Sequence, residues 1–137
     1  MAGSPYYGVQ GTRNVQEYLY DFSVNGGLVS GITLGYLPKG AVIVNAVGVV
    51  ETAATSAGSA TVILGSTTDD NGLVASVAVA ALVAKSTHGN SVAANMLQAK
   101  VAADQIVIMS IGTAALTAGK IRWMVEFYIP SNVVQSL

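Results

Sequence analysis

The 137-residue chain contains no cysteine, a single histidine and few charged residues. Without cysteine it can form neither disulfides nor thiolate metal sites, and one histidine leaves no zinc site within one chain. Charged residues make up 9% of the sequence, against about 25% in typical soluble domains, and the formal net charge is −1. Because no basic face is available to neutralise phosphates, the composition argues against direct nucleic-acid binding.

The sequence also lacks a long hydrophobic run. Its longest apolar stretch, Leu73–Ala84, is too short to span a bilayer and is interrupted by Ser76. The N-terminal residues have neither the basic start nor the apolar core of a signal peptide. We therefore predict no membrane association, and a protein made in the cytoplasm and used without Sec export.

Residues suited to catalysis or ligand binding do not converge in the sequence. His88 lies in the polar stretch KSTHGN, and no G-x-S-x-G sequence exists to present a serine beside it. Asp69 and Asp70 are followed by Asn71-Gly72 with no distal glutamate, which predicts a turn and not a calcium loop. The sequence therefore predicts no catalytic residue, no metal site and no cofactor, and hence no enzyme.

Apolar and polar residues alternate along most of the chain, which is typical of half-buried strands. In Lys120–Ile129 the alternation places Trp123 on the core face, and Pro130 ends the strand. In Glu17–Asn25 it places Tyr18, Tyr20, Phe22 and Val24 on one face, with Leu19 as the exception. Further strands are predicted at Leu28–Leu37, Ala41–Thr52, Ser59–Gly65 and Gln105–Gly112.

Turn signals separate these segments. The glycines at Gly31 and Gly35 indicate a bulge, and Pro38-Lys39-Gly40 indicates a tight turn. Lys85–Ser91 is predicted to be a polar loop, while residues 73–84 and 92–101 fit either strand or helix. The strand spacing predicts an all-β, single-domain antiparallel β-sandwich over residues 17–137, of jelly-roll or Greek-key type.

Residues 1–16 show no alternation and carry paired aromatics. The segment fits either a disordered terminus or an extended arm that orders against a neighbouring protein. In the second interpretation Tyr6, Tyr7 and Arg13 are the partner-binding residues, since Tyr and Arg are enriched at binding hot spots. The scarcity of charge favours assembly with other protein, because interface cores are depleted in charged residues. We expect a homo-oligomer, either a dimer or a trimer.

Two stretches of the sequence are similar to a known group of proteins. Gly31–Ile43, continuing through Val49–Ala53, and Ile111–Arg122, leading into the last strand, resemble the head decoration, or capsid cement, proteins of tailed bacteriophages. The resemblance implies a β-sandwich that sits on the virion surface, binds the major capsid protein and reinforces contacts between its subunits. It implies no catalytic residue.

Other functions remain open at this point. The chain could be another virion component associated with a tail, neck or fibre. It could also be a carbohydrate-binding module, since jelly rolls often host lectin sites. That function would require exposed aromatic residues, and the candidates are scattered through the sequence: Tyr6, Tyr7, Tyr36 and Tyr128.

Overall fold

The computed structural model of the protein describes residues 13–89, 101 and 103–130. Eight strands and two short helical segments follow one another in these ranges. The strands are β1 (Arg13–Asp21), β2 (Gly31–Leu37), β3 (Val42–Ser56), β4 (Thr61–Ser66), β5 (Val74–Ala78), β6 (Thr87–Gly89), β7 (Gln105–Gly112) and β8 (Leu116–Tyr128). The helical segments are α1 (Phe22–Asn25) and a 3-10 turn at Val79–Ala81.

The strands form two four-stranded sheets, ordered β1-β8-β3-β6 and β2-β7-β4-β5. All neighbouring strands are antiparallel. The first strand thus neighbours the eighth, the second the seventh, the third the sixth and the fourth the fifth. This arrangement confirms the predicted all-β, antiparallel β-sandwich.

The core lies between the two sheets and centres on Trp123, which is completely buried. Its indole Nε1 donates to the sulfur of Met109 across the core at 3.4 Å. Gly48 on β3 lies opposite Trp123 in the register, and a side chain there would collide with the indole ring. The prediction that Trp123 is a core residue is therefore confirmed.

The β1 and β2 strands lie beside each other at one edge of the sandwich, where Tyr18 connects the two sheets and Tyr20 connects β1 to the end of α1. The Tyr18 hydroxyl donates to the Tyr36 carbonyl at 2.6 Å, and the Tyr20 hydroxyl donates to the Gly26 carbonyl at 2.7 Å. Both rings are buried, and burial raises the pKa of Tyr18 and of Tyr20 to about 12. A nearby carboxylate, Asp21, contributes to the shift at Tyr20.

The first predicted strand begins and ends earlier than expected. Arg13–Gln16, which the sequence assigned to the arm, belong to β1, and Phe22–Asn25 form a helical turn where strand was predicted. The helix forms because the Asp21 side chain caps it, accepting from the Ser23 backbone N–H at 3.0 Å. As a result Val24 points away from the core and is 79% exposed, so its predicted burial was wrong.

The middle of the chain resolves one open question and corrects one prediction. Within residues 73–84, β5 is followed by the 3-10 turn, so the segment contains a strand and a short helical turn. The predicted loop Lys85–Ser91 contains a short strand, β6, which pairs with Val47–Val49 of β3. Residues 92–100 lie outside the described residues, and Val101 exchanges backbone hydrogen bonds with Gly40 and Ala41.

Two other local predictions are confirmed. The pairing of β2 with β7 shifts register between Thr33 and Gly35, which is the expected bulge. The turn before β3 has Gly40 at φ +87, a conformation that glycine adopts without steric cost. In the described part of the chain, no helix has the length and hydrophobicity needed to cross a membrane.

Candidate assembly surface

The two outer faces of the sandwich differ sharply in charge. The outer face of the β1-β8-β3-β6 sheet, the charged face, carries a network centred on Arg122. Arg122 donates from Nε to Glu51 at 2.6 Å and from Nη1 to Glu17 at 2.9 Å. Lys120 reaches Glu51 at 3.7 Å, and Arg13 reaches Glu126 at 3.4 Å. These cross-strand pairs place opposite charges beside one another on the solvent side.

The network shifts the protonation equilibria of its members. The hydrogen bond from Arg122 is the main cause that lowers the pKa of the Glu51 carboxyl, and the charges of Arg122 and Lys120 add to it. Hydrogen bonds to Glu51 and then Glu17 raise the pKa of Arg122. These side chains keep between 34% and 53% of their surface exposed, so solvent screening limits what the network contributes to stability.

The outer face of the β2-β7-β4-β5 sheet, the uncharged face, has no Lys, Arg, Asp or Glu in any of its four strands. On β7 the buried residues Val107, Met109 and Ile111 alternate with residues that point outward. The outward side chains of β2, β4 and β7 include Thr33, Tyr36, Thr61, Ile63, Ile106, Ile108 and Ser110. Tyr36 is 70% exposed. The face is therefore an apolar and hydroxyl-bearing surface with little charge to desolvate.

An apolar corner adjoins this face in α1 and in the connection from α1 to β2. It consists of Val24, Leu28 and Val29, which are 79%, 76% and 55% exposed. Two backbone hydrogen bonds hold the connection in place: Leu116 N–H donates to the Gly27 carbonyl, and Ile111 N–H to the Ser30 carbonyl. The corner is therefore an exposed apolar patch on a hydrogen-bonded backbone, a feature typical of interaction sites.

The predicted partner-binding residues are only partly described. Tyr6 and Tyr7 lie outside the described residues. Arg13 is the first residue of β1, on the charged face, with its side chain largely exposed and paired to Glu126. It is therefore a strand residue at the point where residues 1–12 join the sandwich.

The lone histidine lies on an edge strand, β6, and not in a loop. Its Nε2 is 2.9 Å from the Ser86 hydroxyl, and that hydroxyl donates to the Val83 carbonyl at 2.6 Å. His88 borders a cleft of about 430 Å³ between β5 and β6, together with Thr87 and the residues of β5. Across residues 13–89, 101 and 103–130, no three His, Cys, Asp or Glu side chains are grouped closely enough to hold a metal ion.

Sequence reasoning missed the apolar corner. It placed Val24 on a buried strand face, because alternation runs through Glu17–Asn25, and it placed Leu28 and Val29 at the start of the next predicted strand. The available signal was Asp21-x-Ser23, in which an aspartate followed by a serine favours a helix cap over continued strand.

Comparisons with known proteins identify the fold but no sequence family. No family model and no curated protein sequence matches the chain. A chain in the structure of the cyanophage Pam1 capsid asymmetric unit superposes with a TM-score of 0.69 and 19% identity, covering 95% of this chain and 94% of that one. A chain in the acid-stable capsid of Helicobacter pylori bacteriophage KHP30 gives 0.64 and 17% identity, over 90% and 92% of the two chains.

A third similar chain comes from the capsid of Ralstonia phage GP4, with a TM-score of 0.61, 19% identity and coverage of 94% and 90%. In all three cases the similarity extends over nearly the whole of both chains. The protein therefore has the β-sandwich fold of chains found in phage capsids.

Proposed function

We propose that this protein is a virion structural protein that binds the outside of a phage capsid and reinforces contacts between major capsid subunits. The observation that carries the proposal is the whole-length fold similarity to chains of three different phage capsids. The strand pairs are nested: β1 lies beside β8, β2 beside β7, β3 beside β6 and β4 beside β5. This order supports the jelly-roll topology within that sandwich.

The uncharged face and the apolar corner are the surfaces best suited to contact the shell. A β-sheet face without charges can lie against another protein without leaving a charge buried and unpaired. The charged face, with its ion pairs already satisfied, is suited to solvent. The decoration role then follows from many equivalent modest contacts, which stabilise only the assembled shell.

The N-terminal arm is the second proposed contact with the capsid shell. Residues 1–12 precede β1 in the sequence, and Tyr6 and Tyr7 within them would bind the neighbouring capsid subunit. Deletion of residues 1–12 is expected to leave folding intact and to weaken attachment to the shell. Unchanged attachment after this deletion would remove the arm from the proposal.

The attachment surface is tested with capsids of the phage that encodes the protein, prepared without it. Wild-type protein should co-sediment with these shells and raise their melting temperature. Val29→Asp and Tyr36→Asp should each weaken co-sedimentation by about 10-fold or more, because each introduces a charge into the contact.

Val83→Asp is the matched control, since Val83 and Val29 are 54% and 55% exposed but only Val29 lies in the apolar corner. Val83→Asp should bind like wild type. Equal binding by all three variants would contradict the assignment of the surface, and failure of wild-type protein to bind any shell would contradict the function.

The carbohydrate-binding alternative has little support among the described residues. Trp123 and Tyr18 are buried and Tyr20 is enclosed between the sheets, while Tyr36 is the aromatic side chain with large exposure there. A single exposed tyrosine does not provide the aromatic platform that such a module needs.

A further inference from the structure

The β1 strand is an unusually regular edge strand. It pairs with β8 over nine residues without a register shift, and no described strand lies on its other side. It contains no proline, no bulge and no charged residue pointing into the core. Natural proteins usually interrupt exposed edges with such devices, so an edge without them is suited to pairing with another strand.

The outward side chains of β1 form a pattern that is complementary to itself. In order they are Arg13, Val15, Glu17, Leu19 and Asp21: basic, apolar, acidic, apolar and acidic. When two such strands run antiparallel about a two-fold axis at Glu17, each Arg13 faces the other strand's Asp21. Each Val15 then faces Leu19. This register matches opposite charges and apolar side chains over the full length of the strand.

Neighbouring registers are less favourable. A shift of two residues in either direction places an apolar residue opposite a charged one. A larger shift that puts Arg13 opposite Glu17 shortens the described overlap to Arg13–Glu17. In the full-length register the two Glu17 carboxylates meet at the axis, and each is already paired with its own Arg122 at 2.9 Å.

We propose that two copies of this protein dimerise by antiparallel pairing of their β1 strands, with Arg13 of each copy opposite Asp21 of the other. The pairing joins the two β1-β8-β3-β6 sheets into one continuous eight-stranded sheet. Backbone hydrogen bonds between the segments Val15–Leu19 supply the ladder, while the Asp21 N–H is already bonded to the Asn25 side chain. The proposal goes beyond attachment to a capsid and does not depend on it.

The test is a charge exchange followed by light scattering coupled to size exclusion. Arg13→Asp places two acidic groups opposite each other, and Asp21→Arg places two basic groups opposite each other. Each variant alone should weaken dimerisation by about 10- to 30-fold. When the two variants are mixed, every Arg13/Asp21 position again joins opposite charges, and the dimer mass should return as a heterodimer.

Lys85→Asp is the control for added negative charge, because Lys85 is exposed and distant in sequence from β1. It should keep the wild-type mass. Asp21→Arg also removes the α1 cap, so circular dichroism and recovery in the mixture distinguish a folded monomer from an unfolded chain. A monomeric wild type at all soluble concentrations would overturn the proposal. So would a dimer or trimer that keeps its mass in both single variants, or a mixture that fails to recover the dimer.

Discussion

The contact between Gly48 and Trp123 allows a sharp test of the core. A Cβ built on Gly48 lies less than 3.0 Å from two atoms of the Trp123 ring, a separation that real Cβ contacts essentially never show. The ring is fully buried between the sheets and hydrogen-bonded to Met109, so it has little freedom to withdraw. Gly48→Ala should therefore lower the free energy of unfolding by about 1–3 kcal/mol, the usual cost of overpacking a core.

A double-mutant cycle isolates this contact from other effects of the substitution. Trp123→Leu removes the ring and should itself cost about 2 kcal/mol or more. In that background the new methyl group enters vacated space, so the cost of Gly48→Ala should shrink by at least about 1 kcal/mol. Urea unfolding followed by far-UV circular dichroism measures all four proteins, since Trp123 is the only tryptophan available for fluorescence.

Gly112→Ala provides the matched glycine control. Its added Cβ would meet only the Thr61 hydroxyl, at 3.0 Å, and both residues lie at the partly exposed end of their strands. This variant should change stability by less than about 1 kcal/mol. Two results would contradict the close contact between Gly48 and the Trp123 ring. One is a Gly48→Ala variant as stable as Gly112→Ala. The other is an equal stability cost of Gly48→Ala with and without the tryptophan ring.

Two further predictions concern titration and surface charge. Because the pKa values of Tyr18 and Tyr20 are raised to about 12, their protonated forms stabilise the fold below pH 10. The unfolding free energy should then fall by about 1.4 kcal/mol per pH unit for each tyrosine as pH rises from about 10 to 12, and Tyr18→Phe should halve that slope in urea titrations. Arg122→Gln should change stability by less than about 1 kcal/mol, since its partners are exposed, yet raise the pKa of Glu51 in an NMR titration. A loss of several kcal/mol, or an unmoved Glu51 pKa, would contradict this account of the network.

The sequence predicted the strands whose pattern depends only on local alternation. The Trp123 strand, the β2 bulge at Gly35 and the turn at Gly40 each have a local physical cause, namely side-chain periodicity or glycine conformation. Those features are all present in the structure. The antiparallel β-sandwich followed from their number and spacing.

The failures occurred where tertiary contacts or caps override the local pattern. Thr87–Gly89 contains a glycine, which is a poor strand former, and is a strand because β3 provides its partner. Phe22–Asn25 alternates like a strand but is capped by Asp21. The uncharged face could not be recognised from sequence, because it depends on which strands share a sheet and on which side each one points.

The position of β8 between β1 and β3 has a consequence for how the chain folds. β1 is synthesised before the other strands, yet its sheet partner, β8, comes from near the other end of the sequence. β3 also pairs with β8. The nascent chain therefore carries β1 without its sheet partner, and β3 with only the short strand β6, until β8 is synthesised. We expect slow folding, as in other proteins dominated by non-local pairing, and a requirement for chaperone protection during synthesis.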